Sequence, residues 1–220
     1  MTTILELVDR ISFLAAMPAV GAIFVSLALL LIVRRWQLHA LAMAIMYFFS
    51  ALLYTRVIRP EVAVVKLLIG WMIALTLYMT GRYLTALQEG AEKTTGEEQT
   101  ARPPRFSLAA GAPLRSLVLL TVLMVALAAF VRFPLPQVPG DVGLACYLLA
   151  IGGVFLMGLT EDPFRSGMGL LMFLTGFDLF FGALEPSLVV AGLLGVMNFL
   201  VALAVTFLSV THAAQWESGQ

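Results

Sequence analysis

Charge is what this sequence has least of. Only 12% of its 220 residues are charged, against about a quarter in a soluble domain, which excludes an ordinary water-exposed fold. The charges balance, thirteen basic against thirteen acidic. A net charge of zero leaves no basic face for nucleic acid, so none is expected as a partner. Cysteine is almost missing as well. The single Cys146 cannot form an internal disulfide or a thiolate metal cluster, and within Leu144-Ala-Cys-Tyr-Leu148 it reads as apolar packing. Of the two histidines, His39 and His212, neither has a second ligand at i+3 or i+4, so no structural zinc or paired-histidine haem is expected. There is no nucleophile–base pair and no phosphate-cradling glycine loop ahead of a helix. The expectation is therefore no catalytic residues, no metal and no cofactor.

What is present is apolar. Hydrophobic residues make up 61% of the chain, and mean hydropathy is +0.99, the composition of an all-α integral membrane protein with the lipid bilayer as its first partner. Seven runs are long enough to cross a ~30 Å hydrocarbon core at 1.5 Å per residue. The first, Ile11 to Val33, carries Pro18, which predicts a kink or local break. Glu6, Asp9 and Arg10 precede this run and Arg34-Arg35 follow it, whereas a cleavable leader carries its positive charge first and a shorter apolar run, so this reads as an anchor. The second spans Gln37 to Tyr54, with His39 at its mouth beside Trp36, a pattern of interfacial residues. The third runs from Glu61 to about Leu84 and holds Lys66 near its start. Trp71, deeper in that run, reads as an interhelical packing residue.

From Gln88 to about Ala112 the character changes to Glu, Lys, Thr and Gly followed by Arg102-Pro-Pro-Arg105. This reads as a flexible polar linker. Four further spans follow: Leu114 to Phe133, Val142 to Thr160, Arg165 to Leu184, and Pro186 to about Val210, before a polar tail from Thr211 to Gln220. The division is thus a three-helix part (1–87), a linker (88–113), a four-helix part (114–210) and a tail (211–220), a 3 + 4 arrangement. Gly152-Gly153 and Gly158 in span five, and Gly192 and Gly195 in span seven, are suited to close helix approach. Loops 1–2, 3–4 and 5–6 with their flanks hold Arg34, Arg35, Arg82, Lys93, Arg102, Arg105, Arg115 and Arg165. The other side holds Arg10, Arg56, Arg59 and Arg132. That asymmetry predicts an external N-terminus and a cytoplasmic C-terminus, and the expected location is a prokaryotic plasma membrane.

Two charges lie inside spans, Lys66 in the third and Asp178 in the sixth. An Asp at a helix centre costs about 2.5–3.5 kcal/mol to insert, so a chain that retains one usually pairs it or uses it. Lys66 lies five residues, roughly 7 Å, below the outer edge, and Asp178 six residues, roughly 9 Å, below the same edge. Opposite charges at matching depth predict a face-to-face pair across the interior. Thr175 at i−3 and Gly182 at i+4 share the face of Asp178. Gly169, Gly176 and Ala183 repeat every seven residues beside it as a small-residue packing stripe. Asn198 in span seven predicts an interhelical hydrogen bond. Thr175, Asn198 and Glu61 are the supporting polar residues of the candidate site.

Three spans, a polar connection and four spans, with Lys66 early in span three and Asp162-Pro-Phe-Arg165-x₃-Gly169 entering span six, resemble a known family. It is the E component of formate-hydrogenlyase-type membrane hydrogenases. That component is similar in its last spans to the K subunit of NADH–quinone oxidoreductase and the C subunit of multisubunit sodium/proton antiporters. The resemblance implies a subunit without catalytic residues of its own, sited beside other membrane subunits and contributing charges to an ion path. The chain departs from the family's pattern in three places: its span-six acid, Asp178, stands about one turn later, no acid occurs at 196–198, and no proline stands near Trp71 in span three. The functional expectation is a non-catalytic subunit of an ion-translocating oxidoreductase or antiporter complex. In it, Lys66 and Asp178 form a structural centre or a vestigial proton relay. A small secondary transporter and a stand-alone membrane scaffold are the alternatives.

Overall fold

The computed structural model describes residues 17–33, 36–57, 60–94, 112–135, 138–160 and 162–218. They form seven α-helices: α1 (Met17–Ile32), α2 (Trp36–Tyr54), α3 (Pro60–Thr94), α4 (Ala112–Arg132), α5 (Gly140–Gly158), α6 (Pro163–Leu184) and α7 (Leu188–Ser218), with no strand among the described residues. Six of them, α2 to α7, are long and apolar enough to cross a bilayer, while α1 is an apolar helix described over sixteen residues. The expected start of span one at Ile11 lies outside the described residues. Pro18 falls in the first described turn of α1. The protein is an all-helical integral membrane protein.

Helix ends follow local chemistry. Asp162 caps α6 by accepting from Phe164 N at 3.1 Å, and Pro163 occupies the first helical position, where a missing N–H costs nothing. Two helices outrun their apolar spans. Residues 88–94, expected as part of the linker, are helical, since α3 continues to Thr94, with Gln88, Glu89, Ala91, Glu92 and Lys93 as good helix formers around Gly90. Residues 95–111 lie outside the described residues. Likewise α7 continues through the expected tail to Ser218.

The 3 + 4 division in sequence becomes two rows in space. Sequential neighbours α1–α2–α3 form one row and α4–α5–α6–α7 the other. The rows lie face to face, α1 on α4 and α5, α2 on α6, and α3 on α7. The core fills the space between them, with Ile23 and Leu27 of α1, Met43 and Met46 of α2, Ile73 and Leu77 of α3, Leu148 and Leu149 of α5, and Leu171 and Met172 of α6. The outward faces are apolar too, as lipid requires.

Glycines set the tightest approaches. A Cβ on Gly153 would lie 2.6 Å from Gly169 O, and one on Gly169 would lie 2.8 Å from Gly153 O. These two backbones therefore touch. Gly176, one heptad on, packs on Leu149 and Ala150 in the same way. This is the small-residue stripe of α6, seated on α5. On α3 the buried stripe is Lys66, Gly70, Ile73, Leu77 and Thr80, at helical spacing. Trp71 lies off it and is 60% exposed on the outer surface, so the expected interhelical packing is corrected: the neighbouring Gly70, not Trp71, meets α2, through Tyr47.

Candidate functional site

Helices α2, α3 and α6 converge on one polar centre. Lys66 Nζ donates to Asp178 Oδ2 in a direct ion pair, and the two side chains are 7% and 5% exposed. Lys66 stands six residues after the start of α3, and Asp178 six before the end of α6, so each lies roughly 9 Å below its helix end at 1.5 Å per residue. The equal depth lets two antiparallel helices present the pair without bending either chain. Tyr54 is the last residue of α2, yet it is 1% exposed, because helical side chains lean toward the N-terminus and so into the bundle. Its ring centroid lies 5.5 Å from Lys66 Nζ, within cation–π range. Its hydroxyl lies beside the Asp178 carboxylate.

The supporting residues behave differently from one another. Thr175 is buried, and its hydroxyl donates to Leu171 O of its own helix at 2.7 Å. It therefore contributes no hydrogen bond to the Asp178 carboxylate, although Tyr47 lies beside it. Asn198 is buried in α7, but the expected interhelical hydrogen bond is not formed among the described residues. The facing surface of α3 is apolar nearby, with Ile69 packed on Gly195. The α3–α7 hydrogen bond is instead Thr80 Oγ1 to Thr206 Oγ1 at 3.1 Å, which sequence reading missed. The side chain of Glu61 lies outside the described residues.

Three atoms at the centre stand out. Asp178 Oδ1, Tyr54 OH and Tyr47 OH are fully buried and meet no protein partner at normal hydrogen-bond length and angle, Tyr54 OH facing the Asp178 carboxylate and Tyr47 OH facing Thr175. A second polar cluster closes the opposite end of the bundle. His39 Nε2 lies 2.7 Å from Val33 O, and Arg165 Nη2 donates to the same carbonyl at 2.9 Å. His39 Nε2 also lies 3.0 Å from Arg165 Nη2, so the two side chains meet at that carbonyl. Arg115 Nη1 donates to Ile32 O at 2.8 Å. Arginines from α4 and α6 thus cap the last carbonyls of α1 and complement its negative end. At the Lys66–Asp178 end of the bundle Arg56 pairs loosely with Asp141 at 3.7 Å.

Sequence reading missed the polar face of α2: His39, Tyr47, Ser50 and Tyr54 are all buried. Their spacing of eight, three and four residues marks a single helix face. Among the described residues no three His, Cys, Asp or Glu side chains gather as a metal site. Chemically, the centre can hold α3 and α6 in register and offer hydroxyl and carboxylate oxygens to a small polar guest. No family model, curated protein sequence or solved structure matches this chain.

Proposed function

We propose that this chain is a non-catalytic integral membrane subunit of an ion-translocating oxidoreductase or antiporter-type complex, with Lys66–Asp178 as its structural centre. The observation that carries the reading is the ion pair itself, buried between α3 and α6 and joining the two rows of helices. Breaking such a pair by removing one member is strongly destabilising, so its architectural value is large. Between Leu188 and Gln215 α7 carries no acid, and its buried polar residues there are Asn198 and Ser209. A proton handed on from Asp178 would find no further carboxylate there. This favours a structural centre, or at most a vestigial relay, over a working ion carrier. The resemblance to hydrogenase E components supports complex membership, and the arginine asymmetry supports an external N-terminus in a prokaryotic plasma membrane. A small secondary transporter is less well supported: binding sites there are typically built on interrupted helices, whereas α2 to α7 run without a break.

The test is mild-detergent purification of the tagged full chain from native membranes, with co-purifying proteins identified by mass spectrometry. Recovery of antiporter-like or redox subunits in stoichiometric amounts supports the proposal. A solitary chain that binds a solute would replace it with the transporter reading.

A further inference from the structure

The three unpartnered atoms of the polar centre have a consequence beyond complex membership. Tyr47, Tyr54 and Asp178 are 6%, 1% and 4% exposed, and the hydroxyls of the two tyrosines and Oδ1 of Asp178 lack protein partners at normal hydrogen-bond length and angle. Each such atom in an apolar bundle costs free energy that a nearby hydrogen-bonding guest restores. We infer that Tyr47, Tyr54 and Asp178 Oδ1 enclose a site for internal water, closed toward the His39–Arg165 end of the bundle.

The guest's chemistry follows from its hosts. Two hydroxyls donate or accept, while a carboxylate oxygen accepts only, so the guest must do both. A metal cation is disfavoured because Lys66 already neutralises Asp178. A neutral hydrogen-bonding molecule as small as water fits both demands. Tyr47 and Tyr54 stand two turns apart on α2, about 10 Å, so a short file of water serves them better than one molecule. Toward the other end the bundle is dry. Met43 and Met46 on α2 and Leu171 and Met172 on α6, all 0% exposed, separate Tyr47 and Thr175 from the His39–Arg165 cluster. Toward the near end the polar residues continue, through Tyr54 at the end of α2 to Arg56 and Asp141. The site is a hydrated half-path that stops at the methionine layer, and it does not depend on whether the chain works alone or in a complex.

Radiolytic hydroxyl labelling of the full wild-type chain in lipid nanodiscs tests this, because brief X-ray pulses oxidise side chains next to bound water even when they are buried. Tyr47 and Tyr54 should be oxidised several-fold faster than Met43, whose thioether is intrinsically reactive and serves as the dry reference. Protection of all three residues would overturn the site, and rapid oxidation of all three, Met43 included, would overturn its closure. A second measurement has a sign. In a hydrated site Tyr54→Phe and Tyr47→Phe strand a water's hydrogen bonds and lower the melting temperature. In a dry one they remove an unsatisfied hydroxyl and leave it unchanged or raised.

Discussion

The sharpest energetic consequence of the buried pair concerns what happens when one or both members are removed. Lys66 and Asp178 side chains are 7% and 5% exposed. Lys66→Met leaves a carboxylate whose Oδ1 already lacks a protein partner, so both its oxygens lose protein support. Asp178→Leu leaves an ammonium with only the Tyr54 ring, 5.5 Å away. Each single replacement should therefore cost about 3–5 kcal/mol, the usual range for orphaning half of a buried pair. The double variant Lys66→Met/Asp178→Leu removes both charges and substitutes apolar volume. It should return to within about 1 kcal/mol of the parent or exceed it. The coupling between the sites then exceeds about 3 kcal/mol, far above the few tenths seen for independent positions. Reversible unfolding in mixed micelles, followed by circular dichroism, reads all four proteins. Single losses below about 1 kcal/mol, or a double loss equal to the sum of the singles, would refute a buried, mutually dependent pair.

Other consequences are local. Gly153→Ala should cost about 2–3 kcal/mol or more, because its Cβ meets Gly169 O at 2.6 Å and helix backbones cannot yield as a side-chain tip does. Gly158→Ala, with open space around it, should stay within about 0.5 kcal/mol of the parent; melting curves of the two variants check the contrast. Arg165→Met removes a charged donor to Val33 O and should cost about 1.5–3 kcal/mol. A double-mutant cycle with His39→Ala should show coupling, since both side chains share that carbonyl. Thr80→Val loses the hydroxyl bond to Thr206 and should cost only about 0.6 kcal/mol, the average for membrane interhelical hydrogen bonds. A loss above about 2 kcal/mol on unfolding would assign Thr80 a larger role.

The depth of the pair was legible because counting residues from span ends fixes height in a membrane, and two opposite charges at one height have few other options. The glycine stripe of α6 was legible for a related reason: Gly169 and Gly176 lie one heptad apart, and that regularity needs no tertiary information. What escaped was rotation about each helix axis. Trp71 was placed inward on its depth in the span, but the stripe through Lys66, Gly70 and Ile73 turns it outward. Tyr47 and Tyr54 carry no site signal in the sequence, because a tyrosine's ring is apolar and its hydroxyl matters only where it lands. Asn198 was paired on general grounds, yet the surface opposite is apolar at Ile69. Arg115 and Arg165 counted toward loop charge, while their contacts with Ile32 O and Val33 O depend on α1 ending between α4 and α6. That juxtaposition belongs to packing, which no single segment encodes.

The lysine content makes the central pair directly measurable. Lys66 and Lys93 are the only lysines, so with Lys93→Arg a single ammonium nitrogen can be labelled. Rotational-echo solid-state NMR between ¹⁵Nζ-lysine and ¹³Cγ-aspartate then measures the Lys66–Asp178 separation in a lipid bilayer. A nitrogen–carbon distance under about 4 Å is the expected result, as for any hydrogen-bonded ammonium–carboxylate pair. A distance beyond about 6 Å would mean that the two charges do not hold the rows of helices together, and the structural centre proposed for this protein would be lost.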